Sequence, residues 1–367
     1  MADTSKKIKI IISGGGTGGH IYPAVAVAQE LEKRIPGVEL LFVGASDRME
    51  MEKVPKAGYK IVGLWISGLQ RSLSLRNLMF PVKVMNAVRR SLGIIKDFEP
   101  DAAIGFGGYA SGALMWAATM KKLPTVIHEQ NSYAGITNKI LKRRVDTICV
   151  AYDKMERFFP ERKIVKVGNP IRKDLMHVND KRAEAYRFFN LDPSKKTILI
   201  IGGSLGARTI NESIFNGLDN IREQELQLIW QTGKTFYTIA QSARDENIRV
   251  YEFIYEMDMA YAIADMVISR AGALSIAELA QVQKPVILVP SPNVAEDHQT
   301  KNAMALVERQ AALLVTDANA RKDLVATAIM LVKDEIRQTA LKQNIASFAM
   351  PDAARRIVDE VLRVMDI

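Results

Sequence analysis

The 367-residue chain reads as an α/β protein built from two similar nucleotide-fold domains. Three observations predict this. A β-branched run at 8–12 enters Ser13-Gly14-Gly15-Gly16-Thr17-Gly18-Gly19-His20, and a helical pattern at 23–31 follows, so strand, glycine turn and helix succeed one another. The same succession returns half a chain later, from 196–201 through Gly202-Gly203-Ser204-Leu205-Gly206-Ala207-Arg208 into 210–218. The other strand candidates are short apolar runs without polar alternation, the pattern of strands covered on both faces.

The length exceeds one ordinary core, and a composition of 48% hydrophobic and 25% charged residues is that of a soluble globular protein. No apolar run reaches transmembrane length and residues 1–7 are too polar for a signal peptide, so a cytosolic protein is expected. Cys149 is the only cysteine and lies in the apolar run Ile148-Cys149-Val150, which predicts a buried structural thiol and excludes disulfides and cysteine metal sites. The net charge of +9 calls for an anionic partner: nucleic acid, acidic lipid headgroups or a phosphorylated substrate.

In the first half, strands are expected at 38–43, 102–106, 125–128, 147–150 and 164–167. In the second they fall at 226–231, 266–269, 285–289 and 312–315. Gly168-Asn169-Pro170 reads as the linker, which divides the chain into 1–170 and 171–348. A closing helix over 351–365 carries Ala354, Ile357, Val358, Val361 and Leu362 on one stripe, and 349–367 is assigned back to the first domain. Glycine loops at the C-terminal ends of two facing sheets would border a cleft where ligands of such folds bind.

Five further stretches carry chemistry. Gly105-Phe106-Gly107-Gly108-Tyr109-Ala110-Ser111-Gly112 is a third glycine loop, suited either to tight packing or to close approach of a ligand. His128-Glu129-Gln130-Asn131 would be costly if buried without partners, which favours a site, although adjacent strand residues point to opposite faces and make a poor metal pair. Ser275 and Glu278 have the spacing of a capping box or of a site, and Glu296-Asp297-His298-Gln299 reads as a solvated or ligand-facing loop. Residues 69–96 interleave Arg71, Arg76, Lys83, Arg89, Arg90 and Lys96 with Leu73, Leu75, Leu78, Met79, Phe80, Val82, Met85 and Val88. This is either a surface for an anionic bilayer or a core helix with a basic face. No stacking platform or recognition module accompanies the charge, so nucleic acid is not expected.

Six motifs follow one another in a telling order: Gly14 to His20, His128 to Asn131, Gly168-Asn169-Pro170-Ile171-Arg172, Gly202 to Arg208, Arg270-Ala271-Gly272-Ala273-Leu274-Ser275, and Glu296-Asp297-His298-Gln299-Thr300-Lys301-Asn302-Ala303. In this order they resemble the peripheral-membrane glycosyltransferases of peptidoglycan synthesis, over essentially the whole chain. That family adds N-acetylglucosamine from UDP-GlcNAc to undecaprenyl-pyrophosphoryl-MurNAc-pentapeptide (lipid I), giving lipid II.

The resemblance implies a GT-B fold of two Rossmann-like domains, the first for the lipid acceptor and the membrane, the second for UDP-GlcNAc. It implies that Glu278 holds the ribose hydroxyls, Ser204 a phosphate, Ala273, Leu274 and Ser275 the diphosphate turn, Ile254 the uracil by its backbone, and Gln299 the sugar hydroxyls. Arg172, Asn131 and Asn211 match polar cleft positions on the UDP-GlcNAc side, and His20, Thr17 and Tyr109 match cleft residues of the acceptor side. Thr17, Gly18 and Gly19 are also assigned to UDP-GlcNAc, and Gly14, Gly15 and Gly16 to the acceptor pyrophosphate. Leu205, Thr300 and the loop at 291–295 depart from some relatives, which touches the sugar contacts and not the reaction.

An α-linked donor giving a β-linked product requires one inverting displacement, with a base for the acceptor hydroxyl and stabilisation of the departing diphosphate. His20 is the expected base, since its ordinary pKa lies near neutrality, and Glu129 is its rival. No Asp-x-Asp pair is evident, so no cofactor or obligatory metal is expected. UDP-GlcNAc, lipid I, an anionic membrane met through 69–96, and other proteins of cell-wall synthesis or division are the expected partners, at the cytoplasmic face of the membrane. A related epimerase or hydrolase of UDP-sugars, or a non-catalytic membrane adaptor, are the alternatives.

Overall fold

Seven strands form the first sheet: β1 (Lys9–Ser13), β2 (Glu39–Ala45), β3 (Ile61–Leu64), β4 (Ala102–Gly105), β5 (Thr125–Glu129), β6 (Thr147–Val150) and β7 (Ile164–Lys166). They are all parallel, in the order β3-β2-β1-β4-β5-β6-β7, the doubly wound arrangement of nucleotide-binding folds. The helices are α1 (Gly18–Arg34), α2 (Glu50–Lys56), α3 (Phe80–Phe98), α4 (Tyr109–Met120) and α5 (Ile136–Leu141). The chain is described by a computed structural model over residues 7–68, 79–203 and 205–367.

The second sheet has the same order over six parallel strands, β10-β9-β8-β11-β12-β13. Its strands are β8 (Thr197–Ile201), β9 (Gln227–Gln231), β10 (Ile248–Tyr251), β11 (Met266–Ser269), β12 (Val286–Leu288) and β13 (Leu313–Leu314). Around it run α6 (Arg182–Phe189), α7 (Arg208–Asn216), α8 (Leu218–Glu223), α9 (Lys234–Ala240), α10 (Met257–Ile263), α11 (Ala273–Val282), α12 (His298–Val307), α13 (Ala320–Lys333) and α14 (Glu335–Ala346). A last helix, α15 (Ala353–Val364), packs on α1, with Ile357, Val358 and Val361 fully buried. The compact units are Met1–Ile171 with Met350–Ile367, and Arg172–Ala349.

Burial explains the apolar runs. Ile10, Ile11 and Ile12 alternate between two cores: Ile11 packs beneath α4, while Ile10 and Ile12 pack beneath α1 and α15. In the second unit Ile198, Ile200, Leu228 and Trp230 all point into one core from one face of β8 and β9. Register then places the functional loops. Ser13 pairs with Val43 and Gly105, and Gly105 with Ile127, so the loops after β1, β4 and β5 leave one edge. Ser269 pairs with Ile201 and Leu288, and Ile201 with Gln231, which gathers the loops after β8, β9, β11 and β12.

Two details correct the sequence reading. Helix α1 begins at Gly18, so Gly18, Gly19 and His20 form its first turn and Pro23 lies inside it. Helix α12 begins at His298, so His298 and Gln299 are helical and only Glu296 and Asp297 form the left-handed turn before it.

Candidate functional site

In the first unit the site grows from β1. Phe106 N–H donates to Ser13 O (2.7 Å), and a Cβ at Gly108 would stand 2.7 Å from Gly15 O, so the first and third glycine loops lie against each other. His20 Nδ1 is 2.8 Å from Gly15 O. A carbonyl only accepts, so Nδ1 carries the proton and Nε2 is the basic nitrogen. Nε2 sits beside Gly107, where a Cβ would come to 3.0 Å of it. Thr17 Oγ1 is 3.4 Å from His20 Nδ1, and Tyr109, half-exposed at the start of α4, meets Phe80 edge-on at 6.3 Å between ring centroids.

The amides of Gly14, Gly15 and Gly16 were expected to face a pyrophosphate. The structure uses two of them internally. Gly16 N–H donates to Glu50 Oε2 (2.9 Å), and Gly15 N–H reaches Gly107 O at 3.4 Å. The amides that such a loop can offer an anion are those of the first turn of α1, at Gly18 and Gly19, which have no acceptor within the helix.

The polar run after β5 is architectural. His128 Nε2 donates to Gly168 O (2.9 Å), and its Nδ1 accepts from Gln130 Nε2 (3.1 Å), which also donates to Phe106 O (2.9 Å). Burial pushes the His128 pKa down to about 4 and keeps the ring neutral. Glu129 is corrected as a candidate base. Its Oε1 accepts from the backbone and side chain of Asn131 (3.1 and 3.3 Å), and its Oε2 from Gly135 N–H and Asn138 Nδ2 (both 2.9 Å). The carboxylate clamps the loop from 131 to 138 and is 98% shielded from solvent, with both oxygens engaged inside the fold. Asn131 is half-buried within that clamp.

In the second unit Arg172 Nε faces Glu278 Oε1 at 3.5 Å and Asp174 at 3.8 Å, and Tyr261 O–H donates to Glu278 Oε2 at 3.4 Å. Burial raises the Glu278 pKa to about 7 against the pull of Arg172, with Asp174 adding to the rise. The N-cap of α11 is Gly272, so Ser275 is the third helical residue and no capping box exists. Ala273, Leu274 and Ser275 make the first turn of α11, at the positive end of the helix dipole.

Ile254 gives its N–H to Gln231 Oε1 (2.9 Å), leaving its carbonyl as the group a ligand can meet, and Gln231 Nε2 donates to Gly203 O (3.1 Å). Gln299 Oε1 accepts from Ser291 N–H (2.8 Å), and Thr300 Oγ1 donates to Asp297 (2.7 Å). Asn211 is corrected: its amide donates to Thr232 O (2.7 Å) and accepts from Trp230 Nε1 (3.0 Å), so it is a core bridge with both ends used. Ser204 lies outside the described residues.

Sequence reasoning missed Glu50, Asp174, Gln231 and Tyr261. Gln231 alone left a signal, a polar residue closing the buried run Leu228-Ile229-Trp230.

The stretch 69–96 divides. Residues 69–78, including Arg71, Leu73, Leu75, Arg76 and Leu78, lie outside the described residues. In α3, Ala87, Ser91, Ile94 and Ile95 face the core, while Met79, Val82 and Met85 are exposed near Arg89 and Arg90. The inner face of α3 is that of a packed helix, and its outer face carries exposed apolar and basic side chains. Among the described residues no helix is long and apolar enough to cross a membrane, and no group of three or more His, Cys, Asp or Glu could hold a metal.

Two parallel doubly wound sheets with their glycine loops at the strand ends define a GT-B fold. Residues 10–150 match the glycosyltransferase family 28 N-terminal domain and residues 197–357 its C-terminal domain. The chain is 55% identical over 361 residues to a UDP-N-acetylglucosamine--N-acetylmuramyl-(pentapeptide) pyrophosphoryl-undecaprenol N-acetylglucosamine transferase of Cytophaga hutchinsonii, covering 98% of each. It is 53% identical over 365 residues to the protein of the same name from Parabacteroides distasonis, covering 98% of this chain and 99% of the relative. The crystal structure of Acinetobacter baumannii MurG superposes with a TM-score of 0.78 at 28% identity, covering 98% of this chain and all of that one. A UDP-GlcNAc 2-epimerase from Neisseria meningitidis shares the fold at a TM-score of 0.69 and 14% identity, with coverage of 98% and 100%. The chain belongs to the family of pyrophosphoryl-undecaprenol N-acetylglucosamine transferases within glycosyltransferase family 28.

Proposed function

We propose that this protein transfers N-acetylglucosamine from UDP-GlcNAc to the C4 hydroxyl of MurNAc in lipid I, with inversion, forming lipid II for peptidoglycan synthesis. The observation that carries this reading is the 55% identity to a transferase of that name over 98% of both chains. The shared fold of a UDP-GlcNAc 2-epimerase, at 14% identity, does not weigh against it.

Residues 1–170 with 349–367 serve the acceptor and the membrane, and 171–348 hold the donor. His20 Nε2 takes the proton of the C4 hydroxyl as the oxygen attacks the anomeric carbon and the bond to UDP breaks. The tautomer set by Gly15 O supports that role. The departing diphosphate meets the first-turn amides of α11 and the loop after β8, with Arg172 adding positive charge. Glu278 accepts from the ribose hydroxyls, Ile254 O from the uracil imide, and Gln299 Nε2 donates to the sugar. No step needs a metal. The exposed Met79, Val82 and Met85 beside Arg89 and Arg90 support docking on an anionic bilayer, at its cytoplasmic face.

Incubation of UDP-GlcNAc with and without a lipid I analogue tests the reading against its rivals. Release of UDP only with acceptor supports transfer. Release or isomerisation without acceptor supports the epimerase or hydrolase reading.

A further inference from the structure

Glu50 opens α2 and is completely buried. Its Oε1 accepts from Ala45 N–H (3.0 Å) and its Oε2 from Gly16 N–H (2.9 Å). Among the described residues no lysine, arginine or histidine is ion-paired with it. A carboxylate in such a place is costly, and hydrogen bonds must offset its desolvation. The backbone makes room for it at two points. At Gly15 a Cβ would stand 2.1 Å from Oε1, and at Gly44 one would stand 2.5 Å from Cγ.

The group that Glu50 holds is specific. Gly16 N–H and Gly15 C=O belong to one peptide unit. Its N–H end donates to the buried carboxylate, and its C=O end accepts from His20 Nδ1. Hydrogen bonds in series polarise one another, so a negative charge at the N–H end makes the carbonyl a better acceptor. The arrangement parallels a buried acid orienting a catalytic imidazole, with one peptide group interposed.

We propose that Glu50 is a positioning residue that acts through the Gly15–Gly16 peptide, fixing His20 as the Nδ1–H tautomer and stabilising the imidazolium formed when Nε2 takes the acceptor proton. This rests on the reading of His20 as the base. In the step, the C4 hydroxyl proton passes to Nε2, Nδ1 keeps its own proton, and Glu50 neither gains nor loses one.

The test joins imidazole 15N spectra to kinetics. In the wild type, His20 should be the Nδ1–H tautomer and the Gly16 amide proton should resonate downfield, as a charge-assisted donor. Glu50→Gln keeps the shape but replaces one acceptor with a donor facing a backbone N–H. It should lower kcat about tenfold, equivalent to about 1.4 kcal/mol, with the KM for UDP-GlcNAc within about twofold of wild type. The His20 tautomer should become mixed. A wild-type His20 protonated at Nε2 overturns the proposal whether or not the variant folds. An unchanged tautomer or unchanged kcat in a folded Glu50→Gln overturns it too. If His20→Ala retains turnover, the base assignment fails separately, and the tautomer shift still reports on Glu50.

Discussion

Arg172 Nε stands 3.5 Å from Glu278 Oε1, yet the carboxyl it faces has its pKa raised to about 7. Desolvation outweighs the attraction, so the acid changes charge in the physiological range. A carboxylate accepts from two ribose hydroxyls where a carboxylic acid accepts less well. Affinity for UDP-GlcNAc, whose diphosphate does not titrate there, should therefore rise with pH about a midpoint near 7 and level off above it. Glu278→Gln should weaken binding by at least about tenfold and flatten the profile, as calorimetry across pH would read. Arg172→Ala should move the midpoint upward.

His20→Ala should lower kcat by about 10²–10⁴-fold, the ordinary worth of a positioned base, while leaving UDP-GlcNAc binding close to wild type. Near-normal turnover would remove His20 from the chemistry.

His128 makes a prediction about stability. Its pKa is lowered from 6.5 to about 4 by burial, so the unfolded chain binds the proton more readily than the folded one. The neutral ring's contribution is whole above about pH 6.5 and is lost as pH falls toward about 4, by about 3 kcal/mol in all. Urea unfolding across this window should show the loss, and His128→Leu should remove that pH dependence. The same substitution orphans Gly168 O and removes one partner of Gln130 Nε2, which keeps Phe106 O, costing about 1–3 kcal/mol at neutral pH.

Cys149 is fully buried on β6, and burial raises its thiol pKa. Alkylation should be absent in the native protein and complete after denaturation. Labelling before unfolding would contradict the placement.

Replacing Met79, Val82 and Met85 with serine should weaken sedimentation with anionic vesicles without changing the melting temperature, because these side chains are exposed. Unchanged vesicle binding would leave α3 a core helix with a basic face.

What was legible in the sequence was local. The glycine loops, the β-branched runs and the stripe of α15 each lie within one segment. Two of the four edge strands were missed for physical reasons: β3 is four residues with a glycine in it, and β10 alternates buried Ile248 and Val250 with half-buried Arg249 and Tyr251 over only four residues. Long-range pairings were also invisible. Glu50 reads as a surface acid on a short helix until Gly16 is found against it, 34 residues away. Asn211 reads as a ligand-facing polar residue until Trp230 is found on its carbonyl. His128, Glu129 and Gln130 were expected to face a ligand because burial without partners is costly. They are buried, but each has its partners, and the cost is met inside the fold.

The most direct test of the central claim is product analysis after incubation of the protein with UDP-GlcNAc and a lipid I analogue. The account predicts acceptor-dependent release of UDP and a disaccharide in which N-acetylglucosamine is β-linked to C4 of MurNAc. Absence of acceptor-dependent release, or an α-linked product, would contradict it.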